Sequence, residues 1–454
     1  MALKHQKVDM LGGSLPRNLL RFVLPLMLAG MLQQAFNTAD VIVVGKCVGD
    51  NALAAVSSNG ALIGLLVNVF VCLSIGLNAD VANAIGRGDR QRVEESLHTG
   101  LLLGLLGGIF LAVAGWFAAP VLLRWTGTPD SVFDQAVLYL RIYLLGAPAA
   151  LVYNFGAAAL RGSGDTRRPL NFLTISGVVN VVLNLFFVVA LRWDVAGVAA
   201  ATSISQLISA LLVLRCLSQE GDLLHFDFHG LRIVPTSLGR ICAVGIPAAC
   251  QGVVVSLSNT IIQSSVNSLG ETFMAASGAA SNIENFVWIA MNTFHQAAIT
   301  FVSAARGAGQ LRRTDKIVGW NLLLVTGFGL SLGALTTLFG PWLLSLFTDT
   351  PAALELGLVR LAIVCLPYFL YGMTDVLTGA LRGLGSAIAP MLVSILGMCG
   401  LRFVWCTAIF PLHRTVPMLM ICYPITWVIA LTALLICFFL VRHRVYRREG
   451  ILSA

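Results

Sequence analysis

One carboxylate interrupts the first apolar stretch of this sequence. Asp40 stands in Gln33-Gln34-Ala35-Phe36-Asn37-Thr38-Ala39-Asp40-Val41-Ile42-Val43-Val44. On a helix, Gln33, Asn37 and Asp40 share one face at spacings of four and three, with Gln34 beside them. A carboxylate at membrane depth costs about 2.5–3.5 kcal/mol on insertion scales, and such groups are by default functional. Its chemistry would be to carry a proton or to coordinate a sodium ion through oxygen. The alternative is a helix-end residue paired with Lys46.

Other polar residues recur inside apolar runs. Asn180 and Asn184 are four apart and so lie on one helical face, and Thr202 opens a polar position with Ser203 and Ser205. These are oxygen ligands for a cation or interhelical hydrogen bonders. Tyr139 and Asn154 are candidate interior groups that could meet a substrate, or packing residues with a satisfied polar end. Farther on stand Glu284, His295, Asp375 and Arg402. Glu284 and His295 are eleven apart, near one face, so a proton relay is conceivable; a satisfied polar contact at His295 is the plainer reading. An ion pair between Asp375 and Arg402 is the structural alternative to a functional Asp375. Asp80 and Arg87 suggest pairing at a helix end.

The elements that must hold these residues are membrane spans. Of 454 residues, 57% are hydrophobic and 11% charged, and the mean hydropathy is +0.86. Soluble domains run about 25% charged. Runs of about 20 apolar residues, enough for a hydrocarbon core of about 30 Å, recur throughout. Twelve spans are expected: 17–45, 53–80, 95–118, 133–159, 168–190, 195–217, 239–266, 274–304, 317–346, 354–380, 387–411 and 415–441. Pro25 and Pro247 sit inside the opening span of each half, where a proline removes a backbone hydrogen bond and kinks the helix.

The halves repeat. Leu160-Arg161-Gly162-Ser163-Gly164 returns as Leu381-Arg382-Gly383-Leu384-Gly385 at an offset of 221 residues. The same offset links Gly49 to Gly270, and Gly86 and Gly88 to Gly307 and Gly309. Each half holds an even number of spans, so the two enter the membrane in the same orientation. The expected division is a six-helix lobe at 1–217, a linker at 218–238 containing Gly221, Asp222, Gly230 and Pro235, a second lobe at 239–441 and a basic tail at 442–454. The repeat breaks at the polar residues: Asp40 faces Ile262, Asn180 faces Leu401, and Asn184 faces Trp405.

Net charge is +8. In the twelve-span reading, 22 of the 29 Lys and Arg, from Lys4 to Arg448, fall on one side of the membrane. The positive-inside rule makes that side, with both termini, cytoplasmic. The charge therefore reports topology, and no basic face is left for nucleic acid. The ten cysteines are scattered without a CxxC or Cys/His cluster. They read as buried apolar residues rather than metal ligands. The Gly-rich turns lack a Walker lysine, and no nucleophile elbow or HExxH is present. An enzyme is not expected, and the driving energy must come from an ion gradient.

Taken together, Pro25, Asp40, the two Leu-Arg-Gly-x-Gly turns, Gly307-Ala308-Gly309 and the six-plus-six plan resemble the MATE (multidrug and toxic compound extrusion) exporters over essentially the full length. The resemblance implies an all-α polytopic fold of twelve transmembrane helices in two pseudo-symmetric six-helix lobes arranged as a V, with alternating access driven by proton or sodium entry. Its DinF-like branch implies a first-lobe cation site at Asp40, Asn180, Asn184 and Thr202. The chain departs from that branch at Asn184, where aspartate is common. It lacks the NorM-like glutamate between Pro247 and Gly270, and Asp375 lies nearer the Leu-Arg-Gly turn than that branch's aspartate.

The expected protein is a multi-pass antiporter of the cell (plasma or inner) membrane. It would export amphipathic, cationic small molecules against protons or sodium ions, as a monomer in the bilayer, without a resident cofactor and without nucleic acid. The rival is a flippase for a lipid-linked glycan precursor, which would want a strongly basic cavity; Arg402 and Arg141 are its candidates.

Overall fold

The computed structural model describes residues 7–220, 224–227, 230–348 and 350–448, without the side chains of residues 46, 50, 53, 61 and 448. Lys4, Gly221, Asp222, the tail from residue 449 and the Lys46 side chain lie outside the described residues. Among those described, the chain is helical and has no strand.

The first half contains α1 (Leu15–Cys47), α2 (Asp50–Arg87), α3 (Arg90–Trp125), α4 (Phe133–Leu145), α5 (Ala147–Gly162), α6 (Arg167–Leu185) and α7 (Asp194–Gln219). The second contains α8 (Pro235–Asn267), α9 (Glu271–Gly307), α10 (Leu311–Leu338), α11 (Gly340–Ser345), α12 (Pro351–Val364), α13 (Tyr368–Gly383), α14 (Ile388–Val393), α15 (Leu401–Val404), α16 (Val416–Met420) and α17 (Cys422–Arg448). Wider π-helical turns follow α6 at Phe186–Ala190 and flank α15 at Ser394–Gly400 and Trp405–Ile409.

Nine stretches among the described residues are each long and apolar enough to cross a bilayer, and two bent pairs, α4 with α5 at 45° and α12 with α13 at 43°, make eleven. The twelfth span is α9. Its 37 residues reach far enough, but Asn282, Glu284, Asn285, Asn292, His295 and Gln296 dilute its apolarity. Large apolar side chains such as Phe110, Phe117, Val182, Leu396 and Leu440 are exposed, a face that lipid tails satisfy and water does not.

By contact the chain forms two units. One comprises Leu24–Ala249 with the described residues up to Val8; the other comprises Asp9–Val23 with the chain from Cys250 onward. The borders fall inside α1 and α8, beside Pro25 and Pro247, rather than in the 218–238 connection. Both helices run unbroken through their prolines.

In the first unit α5 packs against α2, α3 and α7; in the second α13 packs against α9, α10 and α17. The duplicated glycines make this possible. A side-chain carbon at Gly162 would stand 2.9 Å from the Asn78 carbonyl oxygen of α2, and one at Gly383 would stand 2.9 Å from Val302 Cβ of α9. The turns that follow need positive φ, met by Gly164 at 84° and Gly385 at 81°. The two helical bends also fall on matching residues, Gly146 and Pro367.

At one end of the first unit Asp80 is a hub. It accepts from Arg92 Nη2 at 2.6 Å, Arg240 Nε at 2.9 Å and Ser96 Oγ at 2.6 Å. Arg87, expected as its partner, instead donates to Asn83 on its own helix at 3.2 Å. A side chain four residues back on the same face is simply nearer.

Candidate functional site

Four polar residues from three helices form one chain of hydrogen bonds in the first unit. Asn184 Nδ2 donates to Asp40 Oδ1 and, at 3.4 Å, to Asn180 Oδ1. Asn180 Nδ2 donates to Thr202 Oγ1 at 3.4 Å, and that hydroxyl donates to the Val198 carbonyl at 3.0 Å. The four residues named as a cation site are thus brought together. Asn180 and Asn184 are buried while Asp40 is half-buried. The Asn184 Oδ1 atom is buried without a hydrogen-bond partner among the described residues. An orphaned acceptor beside a carboxylate suits a cation or a proton donor.

Local packing fixes this geometry. Gly177 lies one turn before Asn180 on α6, and the Phe36 ring lies one turn before Asp40 on α1. A carbon added at Gly177 would stand 1.9 Å from that ring. The ring therefore lies in a notch that only glycine leaves, which sets α1 against α6 and Asp40 against Asn184. Beyond Asp40, Val44 is buried in a cluster with Tyr139, Leu140 and Val198. Asn184 lies in the last α turn before the π-helical Phe186–Ala190, a widening often found at functional positions.

The other residues proposed for the interior are less engaged. Tyr139 is buried and stacks on Tyr143 at 6.1 Å. Asn154 Nδ2 bonds back to the Ala150 carbonyl at 2.8 Å. Asn37 is exposed, and at Gln34 the backbone carbonyl, not the side chain, accepts from Thr38 Oγ1 at 2.9 Å.

In the second unit the ionisable residues pair differently from the sequence expectation. Glu284 accepts from Arg360, which also donates to Ser277. His295 meets other partners: Nδ1 lies 2.7 Å from the Asp375 carbonyl and Nε2 lies 3.1 Å from Arg382 Nη1. Arginine can only donate, so Nε2 accepts and Nδ1–H donates to the carbonyl. Both ring nitrogens are committed, and the structure makes no Glu284–His295 relay. Nor do Asp375 and Arg402 pair. The Asp375 Oδ2 atom is buried without a hydrogen-bond partner among the described residues, whereas the Arg402 guanidinium lies 4.5 Å over the Tyr423 ring.

Glu284, Arg360 and Arg402 border a cavity of about 380 Å³ together with Tyr371, Tyr423 and Trp427. Trp427 is the hub of its aromatic wall, with ring centroids 5.1 Å from Tyr368, 5.8 Å from Tyr371 and 5.8 Å from Tyr423. Sequence reasoning missed Arg360 and this wall. Among the described residues no group of three or more His, Cys, Asp or Glu is placed to hold a metal ion.

Comparison with known proteins agrees with this architecture. The profile of the family described as MatE matches residues 25–186 and 247–407, one copy in each half. The chain is similar to the probable multidrug resistance protein YoeA of Bacillus subtilis, 27% identical over 393 residues and covering 85% of each chain. It is similar also to the probable multidrug resistance protein YpnP of the same organism, 26% identical over 411 residues, 88% of this chain and 90% of that protein. The fold is that of a solved multidrug resistance MATE family transporter in an outward-facing conformation, with a TM-score of 0.89 at 20% identity over 99% of this chain and 100% of that one. The repeated halves, the spans and the profile that matches both halves make this chain a member of the MatE family of membrane transporters.

Proposed function

We propose that this chain is a secondary active antiporter of the cell membrane, with both termini cytoplasmic, that expels amphipathic, cationic small molecules in exchange for protons or sodium ions. The observation that carries this reading is the Asp40–Asn184–Asn180–Thr202 chain, present in one half of a duplicated scaffold, with Asp40, Asn180 and Asn184 replaced by Ile262, Leu401 and Trp405 in the other. Relatives named as multidrug resistance proteins support the efflux part of it.

The cycle rests on the charge of Asp40. A sodium ion would be held by the Asp40 carboxylate with Asn184 Oδ1, Asn180 Oδ1 and Thr202 Oγ1 as neutral oxygens. A proton placed on Asp40 would face the Asn184 amide N–H, and the amide would turn to present its Oδ1 instead. Either event removes the negative charge that holds α1 to α6, and α1 repositions about Pro25. The unit then tightens and releases its substrate. The flippase reading lacks its basic cavity group in this unit, because Arg141 lies 5.2 Å over the Trp116 ring and donates to the Trp116 carbonyl at 3.0 Å.

The test is efflux of a fluorescent cation from proteoliposomes under an imposed pH gradient or an imposed sodium gradient. One gradient should drive efflux, and Asp40→Asn should abolish that dependence. Unchanged gradient-driven efflux in Asp40→Asn would remove Asp40 from the coupling step.

A further inference from the structure

The cavity of the second unit carries a charge that no described residue bordering it balances. Arg360 spends its fork on Glu284, at 2.7 Å and 2.8 Å, so those two charges cancel. Asp375 does not border the cavity. That leaves Arg402. It is 6% exposed, its Nε has no hydrogen-bond partner among the described residues, and its only described contact with a π system is the Tyr423 face. A second donor is stranded on the same wall: Trp427 is 2% exposed, and its indole Nε1 is also without a partner among the described residues. Both side chains flank Tyr423, one at 4.5 Å and the other at 5.8 Å.

Buried donors are normally satisfied, and a buried arginine is normally paired. Two residues with orphaned donors border one roomy cavity, which points to a ligand that supplies acceptors. The remaining wall says what else that ligand carries, because aromatic faces recognise flat π systems by stacking. The volume of about 380 Å³ suits one small molecule, ligand pockets running from about 300 to 1,000 Å³. The backbone is built to place the arginine: Arg402 rides on the single α turn Leu401–Val404 between two π-helical turns.

We propose that this cavity is a binding site for a planar aromatic anion, whose carboxylate or sulfonate takes the free donors of Arg402 and Trp427 while its rings lie among Tyr371, Tyr423 and Trp427. The site belongs to the second unit and opposes in charge the Asp40 site of the first. It stands whether or not Asp40 couples transport.

The experiment uses the full chain in phosphatidylcholine nanodiscs and two dyes that share a xanthene frame but differ in charge, fluorescein and rhodamine 123. Fluorescence polarisation should give fluorescein at least about tenfold tighter binding than rhodamine 123. Arg402→Gln should weaken fluorescein by about tenfold or more and leave rhodamine 123 unaffected, with Arg402→Lys in between. Trp427→Phe keeps an aromatic wall but deletes the N–H, and should weaken fluorescein severalfold. Asp40→Asn should bind fluorescein as the wild type does, so a failure of the coupling scheme reads out separately. Should Arg402→Gln not fold, Arg402→Lys and Trp427→Phe decide. Equal affinity for the two dyes in the wild type, or fluorescein affinity indifferent to these substitutions, overturns the proposal.

Discussion

Arg360 and Glu284 meet in a bidentate ion pair, Nε to Oε1 at 2.7 Å and Nη2 to Oε2 at 2.8 Å, with side chains only 7% and 13% exposed. Removing one partner of a buried pair strands the other's charge and costs about 3–5 kcal/mol, whereas replacing both by apolar groups is often close to neutral. Glu284→Gln should therefore lower the thermal unfolding midpoint of the purified protein sharply. The double variant Glu284→Met/Arg360→Met should recover most of that loss. Equal midpoints for the single variant and the wild type would show that the pair contributes little.

The notch at Gly177 gives a prediction that links packing to coupling. A methyl group there would stand 1.9 Å from the Phe36 ring, so the ring must leave its notch and the seating of α1 on α6 is disturbed. Overpacking of this kind costs about 1–3 kcal/mol. Gly177→Ala should weaken the dependence of efflux on the driving gradient more than it lowers efflux itself, because Asp40 is drawn off Asn184. Adding Phe36→Leu should restore the dependence. A Gly177→Ala protein that keeps full gradient dependence would detach the notch from the site.

Outside the membrane, Glu220 caps the end of α7 and accepts from Arg168 and, at 2.6 Å, from Lys7. Burial alone would push the Glu220 carboxyl up, but hydrogen bonds and charge from Arg168 and Lys7 outweigh it and hold the group below its ordinary value of 4.5. A depressed carboxylate contributes stability above its unfolded-state value and loses it as pH falls through the lower folded value. Wild type should thus unfold at a higher temperature than Glu220→Gln at neutral pH. The two melting curves should converge as the pH is taken well below 4.5. A gap that persists in acid would assign the difference to packing rather than to charge.

What could be read in the sequence follows from how local each signal is. Asn180 and Asn184 share a face by spacing alone, and Asp40 stands out because carboxylates are costly at that depth. The repeat was visible because its turns need glycine at fixed positions, and Gly164 and Gly385 do adopt matching positive φ. The second-unit cavity was not visible. Arg360 and Glu284 are 76 residues apart, and Tyr371 and Trp427 come from different helices, so no periodicity connects them. The failed pairings have equally local causes. Arg87 takes the nearby Asn83, and Arg402 takes an aromatic face from α17 in place of Asp375. The interleaving of the units inside α1 and α8 has no sequence mark beyond Pro25 and Pro247.

Asn184 meets the Asp40 carboxylate from the opposite helix, and its replacement tests what one charge is worth there. In the present arrangement the cage offers one carboxylate and neutral oxygens, and the Asn184 amide spends its N–H on Asp40. Asn184→Asp removes that donor and sets a second carboxylate against the first. Two such groups in contact cannot both stay ionised without a counter-charge, so each cation or proton bound is held more tightly. Sodium, which gains from a second anionic oxygen without needing a hydrogen-bond geometry, should benefit most. Efflux by Asn184→Asp in proteoliposomes should become sodium-stimulated, or reach half-maximal stimulation at about tenfold lower sodium than the wild type. Asp40→Asn/Asn184→Asp, which restores a single charge on the opposite helix, should return to weak sodium dependence. If Asn184→Asp responds to sodium as the wild type does, the Asp40–Asn184 contact is structural and the coupling ion is bound elsewhere.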